Sequence, residues 1–316
     1  MKTKILISVL AIVAIAGCTV PGVPGLTTGP TVGAPKGLEI TSFIAEPTPV
    51  YSRSTVRVVM ETENQGGATS YNGTSFAYLT GSNINLTTKN GNYWYGRDPE
   101  DEVQCKYFNT TMKPADEVRG TPGDIKTFKW DLIAPNVTEG QTRSDSFIGR
   151  IYTDYETSVN GNIWVYSETE ADASKANNKP LNKATFTSTS GPVAVEVSAN
   201  PDPVIVYGSD KAFSLIIKIS NNAQGTIYQP NVLSDCDISL TSEQLNQVNV
   251  TIDAPDFSGQ GSCEGAQELI SGRPTSLFCE LTVNGNVATF QSYPISVRVK
   301  YGYYTQQTAS VLVQGR

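Results

Sequence analysis

The chain reads as an all-β protein made of two copies of one sandwich domain, and three observations predict it. Thr, Val, Tyr and Ser are abundant while charged residues make up only 17%, a balance suited to half-buried pleated surfaces. Gly (27) and Pro (18) recur between short β-branched and aromatic runs, as turns between strands require. The third observation is that the second half of the chain repeats the first. No segment carries the long 3.6-residue periodicity of a packed helix; the best helical stretch, Glu243 to Val248, is short.

The repeat is visible in three places. Thr55 to Tyr71 (TVRVVMETENQGGATSY) aligns without gaps with Ala212 to Tyr228 (AFSLIIKISNNAQGTIY), at an offset of 157. Gly123 to Leu132 (GDIKTFKWDL) matches Gly272 to Leu281 (GRPTSLFCEL) at 149, and Arg150 to Thr157 matches Arg298 to Thr305 at 148. Upstream, Pro47 and Pro49 have the spacing of Pro201 and Pro203. The offset shrinks because the first copy carries about eight extra residues in its middle.

Each copy then resolves into strands. In the first they are Leu38 to Phe43, Thr55 to Glu63, Ser75 to Thr80, Thr127 to Ala134, Phe147 to Tyr155 and Gly161 to Tyr166. In the second they are Val193 to Ala199, Ala212 to Ser220, Val248 to Ile252, Ser276 to Val283, Ile295 to Tyr301 and Gln306 to Val313. Val193, Val195 and Val197 alternate, as do Val297, Val299 and Tyr301, the period of a strand with one buried face. About seven short strands with turns between them is the pattern of an immunoglobulin-like sandwich. The expected layout is a first sandwich over 37–182 with an extended middle insertion. A linker or last strand follows over 183–192, and a second sandwich over 193–316. The halves are expected to fold separately.

The Pro-x-Pro opening, the strand ending in Asn-x-x-x-Gly and the late Tyr-x-Tyr resemble CARDB-type and related immunoglobulin-like modules. Such modules are common in archaeal surface proteins, often behind a lipobox and a Pro/Thr tether. The resemblance implies adhesion or scaffolding and carries no catalytic residue across. The antibody-type Cys…Trp…Cys core is missing, since Trp130 sits where the second copy has Cys279.

At the N-terminus Lys2 and Lys4 precede an apolar run from Ile5 to Ala16 that closes on Gly17-Cys18. These are the parts of a secretory signal, and the run is short against the roughly 18–20 residues that span a bilayer. The ending resembles the lipobox of prokaryotic lipoproteins, which implies a signal peptide over 1–17, lipid on Cys18 and anchorage to the membrane. Residues 18–36 are rich in Pro, Gly and Thr with no charge before Lys36, and such a stretch behaves as a disordered tether. The expected place of work is the cell surface.

Without the leader the chain holds 21 basic and 30 acidic residues, a net charge of −9, which repels phosphate backbones and argues against nucleic acid as a partner. Histidine is absent. Ser-His-Asp hydrolases, papain-like proteases and HExxH metalloenzymes are thereby excluded, and no catalytic residue is assigned. Carboxylate-only hydrolysis stays open in principle.

The four cysteines after Cys18 are Cys105, Cys236, Cys263 and Cys279. An even number in an exported chain suggests disulfides, with three pairings available. The expectation is one bridge among Cys236, Cys263 and Cys279.

Candidate sites gather in the middle insertion. Tyr93, Trp94 and Tyr95 form the densest aromatic cluster, suited to stacking on sugars or docking a partner, though aromatics are also ordinary strand residues. Asp98, Glu100 and Asp101 follow in an acidic loop. They are candidate Ca²⁺ ligands, or the loop is simply solvated, since the D-x-D-x-D-G spacing is missing. No other cofactor is implied. Asn72, Asn85, Asn109, Asn136 and Asn249 open N-x-[S/T] sequons, a number that composition alone accounts for. The leading expectation is a membrane-anchored extracellular binding, adhesion or scaffolding module whose partner is a protein or a glycan. The alternatives are a glycan-binding or carbohydrate-active surface protein and a structural envelope component.

Overall fold

The computed structural model describes residues 36–316 apart from 71–74, 90, 117–118, 209–210, 234–235 and 271–272. Cys18, the leader, nearly all of the tether and Asn72 lie outside the described residues. Eight strands form the first half: β1 (Leu38–Glu46), β2 (Val50–Tyr51), β3 (Thr55–Asn64), β4 (Phe76–Gly81), β5 (Tyr95–Gly96), β6 (Cys105–Tyr107), β7 (Ile125–Ile133) and β8 (Thr142–Ser167). Helix α1 (Glu168–Ala176) and β9 (Thr185–Ser188) come next. The second half adds β10 (Val193–Asn200), β11 (Val204–Val206), β12 (Ala212–Asn221), β13 (Thr226–Tyr228), β14 (Gln247–Asp253), β15 (Phe257–Ser258), β16 (Gly265–Glu268), β17 (Thr275–Val283) and β18 (Phe290–Gln314).

Strand accounts for 56% of the chain, in three sheets. One sheet has the order β1-β3-β7-β5 and the second the order β10-β12-β17-β15, so corresponding strands of the two halves occupy corresponding places. The third and largest sheet runs β16-β14-β18-β8-β4-β6. Among the named strands, pairing is antiparallel except where β2 joins β18 and β11 joins β8.

The repeat extends to single hydrogen bonds. Asn64 donates from Nδ2 to the Ala68 carbonyl (2.9 Å) and accepts from the Gly66 N–H on Oδ1 (3.2 Å). Asn221, 157 residues on, does the same with Gly225 (3.1 Å) and Ala223 (3.2 Å). A tyrosine closes each turn: the Ala68 N–H donates to the Tyr155 hydroxyl (3.2 Å), and the Gly225 N–H to the Tyr303 hydroxyl (3.1 Å). Gly225 has no substitute there, because a Cβ would lie 2.4 Å from the Tyr303 ring.

The expectation that each half folds by itself is corrected. The strands read as Phe147 to Tyr155 and Gly161 to Tyr166 are one 26-residue strand, and those read as Ile295 to Tyr301 and Gln306 to Val313 are one of 25 residues. They pair with each other from Thr142–Gln314 to Tyr166–Phe290. Asn160-Gly161 is the dipeptide that most favours a two-residue hairpin turn, yet it runs straight, paired with Ser296 and Ile295. On its other edge β9 pairs with the same two residues through Thr187 and Phe186, so both sides of the dipeptide are already held in ladders.

As a result the final strands are exchanged. The core under the first sheet contains Leu38, Val58, Met60, Trp130 and Phe147, and it is completed by Ala309, Val311 and Val313 from the end of the chain. The core under the second contains Val195, Leu215, Ile217 and Leu281, completed by Val159, Ile163 and Val165 of β8. The described residues accordingly form one compact unit.

The boundary segment holds the one α-helix among the described residues. Ser167 caps α1 by accepting from the Glu170 N–H (3.3 Å), with Glu168 and Glu170 in the first turn and Lys175 in the last, as the helix dipole favours. The stretch expected to be helical, Glu243 to Val248, contributes only part of a 3₁₀ turn at Ser242–Gln244 before β14 begins.

Candidate functional site

The aromatic run of the insertion divides between two faces. Successive side chains on an extended segment point opposite ways, so Trp94 turns inward while Tyr93 stays exposed and Tyr95 half-buried. Trp94 is fully buried, its ring edge against Phe147 at 5.0 Å. Its indole N–H donates to Oδ2 of Asp145 (2.8 Å), a buried carboxylate that the Arg143 guanidinium also holds at 3.0 Å. Trp94 is therefore a core residue with its polar edge satisfied, and its assignment to a binding row is corrected. Tyr95 is pinned in β5, opposite Ile133 of β7.

The acidic residues beside it do not converge. Asp98 pairs with Arg97 at 3.1 Å and precedes a 3₁₀ turn over Pro99–Asp101. Asp101 is buried and faces Lys106 at 3.5 Å, while Glu102 meets Lys89 at 2.7 Å. Glu100 is exposed. Asp131 on β7 takes Arg57 in two bonds of 2.7 and 2.8 Å, and this guanidinium holds its carboxyl below the usual range. Arg57, Asp98, Glu100, Asp101, Lys106 and Asp131 line an open groove of about 840 Å³ against β7. Lys106 also lies over the Trp130 ring at 5.1 Å and reaches the Lys129 carbonyl. The arrangement is a set of ion pairs in which Asp98, Asp101, Glu102 and Asp131 each lie next to a cation. Among the described residues no group of three His, Cys, Asp or Glu side chains is placed to hold a metal ion.

Both bridges of the cysteine set are made. Cys263 pairs with Cys279 inside the second half. Cys236 pairs with Cys105, 131 residues away, which corrects the expectation of a single bridge confined to the second half. The long bridge ties β6, at the rim of the large sheet, to the segment before β14. Two disulfides are the mark of a protein that works outside the reducing cytoplasm.

Close to that bridge, Phe76, Tyr152 and Tyr228 form a small aromatic core where the halves meet. Asp154 lies beside it, and burial pushes its carboxyl up to about 6 against a single hydrogen bond from the Asn231 N–H (3.3 Å). Nothing in the local sequence marks Asp154, because its environment is supplied by residues more than seventy positions away. Of the sequons, Asn109, Asn136 and Asn249 are exposed and Asn85 is half-buried. Sequence reasoning also passed over Asn160-Gly-Asn-Ile-Trp164 in β8, where a period of two puts three side chains on one outer face; that alternation was the available signal.

No family model and no curated protein matches the chain. Among solved structures it is similar to a point mutant of Salmonella alpha-2-macroglobulin, at 10% identity and a TM-score of 0.16. The similarity covers 82% of this chain and 15% of that one, so the chain spans under a sixth of its length. What stands established is an all-β protein of antiparallel sheets with weak, partial likeness to a stretch of a much longer chain.

Proposed function

We propose that the protein is an exported, lipid-anchored surface module in which two interlocked immunoglobulin-like sandwiches act as a stiff binding or scaffolding body. The observation that carries this reading is the exchange of β8 and β18 between the two cores. Domains joined by a linker move relative to each other by default. Here the joint is instead an antiparallel ladder of 25 residue pairs, up to about 80 Å long at roughly 3.3 Å per residue. The Cys105–Cys236 bridge adds a covalent tie. A body of this kind suits holding a surface at a set distance from a membrane, and the Cys18 motif with its Pro/Thr stretch supports attachment at one end.

The test is Cys18→Ser in the native host, followed by fractionation and protease treatment of intact cells. The expected result is wild-type protein in the membrane fraction and shaved by external protease. The variant should be released or left as an unprocessed precursor. Wild-type protein recovered from the cytoplasm with reduced thiols, or a variant still processed and retained in membranes, overturns the proposal.

A further inference from the structure

We infer that the outer face of the large sheet around Asn160, Asn162 and Trp164 is a binding site for a neutral polysaccharide. The register builds the face rung by rung. Thr187, Asn160, Ser296 and Asp253 stand opposite one another across β9, β8, β18 and β14, on one side of the sheet. The next rung is Thr185, Asn162 and Pro294, the next is Trp164 and Ser292, and Tyr166 opposite Phe290 ends the row. From Asn160 to Trp164 the rungs extend about 13 Å at roughly 3.3 Å per residue.

Asn160, Asn162, Thr185, Thr187, Asp253 and Ser296 line an open groove of about 550 Å³, within the range of small-ligand sites. Among the described residues none of these six side chains has a hydrogen-bond or ion-pair partner, so all six are available to a ligand. The groove runs onto an aromatic step in which the Phe290 ring lies 6.0 Å from Trp164 and 5.6 Å from Tyr166. Phe290 is 46% exposed and Tyr166 is buried beneath it. Amides and hydroxyls match sugar hydroxyls in number and polarity, a carboxylate accepts strongly from them, and rings offer an apolar plane to the C–H face of a pyranose.

Charge and edges select the partner class. Asp253 is the single charged side chain in the groove lining. Charge returns at the next rungs, with Arg298 and then the Lys300–Glu156 pair at 3.7 Å. An anionic polymer has no cation to meet inside the groove. At the Asn160–Ser296 rung an extended peptide has no edge to join, since β8 is covered there by β9 and β18 by β14. The inference stands whether or not Cys18 carries lipid.

The test is native affinity electrophoresis of the full chain through gels containing hydroxyethylcellulose, mannan, a β-glucan or galactomannan, with alginate as the anionic control. At least one neutral polymer should retard the protein. Trp164→Ala and the double variant Asn160→Ala/Asn162→Ala should each weaken that retardation about tenfold, the equivalent of about 1.4 kcal/mol. Trp164→Phe should keep most of it, and Lys129→Ala, on the first sheet, should leave it unchanged. Thermal unfolding checks each fold; if Trp164→Ala melts early, the exposed double Asn variant decides alone. No retardation by any neutral polymer, retardation by alginate only, or retardation that survives the double Asn variant overturns the inference.

Discussion

Replacing Val311 and Val313 with alanine tests the strand exchange directly, because both belong to the second half of the sequence and are buried in the first core. Each substitution removes two methyl carbons, about 1.6 kcal/mol of transfer free energy, and the cavity left behind raises this to about 2–3 kcal/mol. The residues are neighbours on one face of β18, so their effects do not add fully, and about 4–5 kcal/mol is expected for the pair. That is a large part of the 5–15 kcal/mol typical of a whole fold. Hydrogen exchange read by mass spectrometry should show lost protection in β1, β3 and β7 before β10, β12 and β17. Tryptophan fluorescence gives a second readout, since Trp94 and Trp130 sit in the first core and Trp164 does not. The mirror variant, Ile163→Ala with Val165→Ala, should loosen the second core from within the first half of the sequence. If the β18 variant instead exposes β12 and β17 while Trp94 and Trp130 keep their emission, the strands are not exchanged and the reasoning fails.

Three further outcomes are expected. Cys105→Ser/Cys236→Ser should lower stability by about 5 kcal/mol on the loop-entropy scale and Cys263→Ser/Cys279→Ser by about 3, because the loops span 131 and 16 residues; denaturant melts with the order reversed would refute this. Folding raises the Asp154 carboxyl from 3.8 to about 6, so the folded state holds that proton more tightly. Its stabilising effect is present below about pH 4 and is lost as pH rises through about 6. Asp154→Asn should therefore flatten that part of the stability–pH curve and stabilise the protein at pH 7 by on the order of 3 kcal/mol. Trp94→Ser should cost at least about 3 kcal/mol, as deletion of a buried Trp does, while Tyr93→Ser on the outer face should stay within about 1 kcal/mol; equal losses in a thermal melt would show that the two rings share one environment.

Strand identity was legible in the sequence because it depends on local pattern. Alternation at Val193–Val197 and at Val297–Tyr301 marked buried faces that the structure contains. The turn chemistry of Asn64 and Asn221 marked the repeat, since an Asn that bonds its own turn needs only residues within four positions. The helix at Glu168 was missed although its cap was in view at Ser167, because its run of polar residues read equally well as a linker.

The candidate site was read less well, and the reason is geometric. Whether Trp94 faces solvent depends on Asp145 and Phe147, some fifty residues on. Whether Asp98 and Asp101 share an ion depends on where Arg97 and Lys106 reach. Only tertiary structure decides such questions, and the largest of them is where β8 and β18 go. By itself the sequence determined that there are two similar sets of strands with one apolar face each. An apolar strand face buries equally well against its own half or against the other, since the hydrophobic effect is non-directional. The choice fell to the 25 rungs that β8 and β18 form when neither turns back, an interaction between residues about 120 to 170 positions apart that no local pattern encodes.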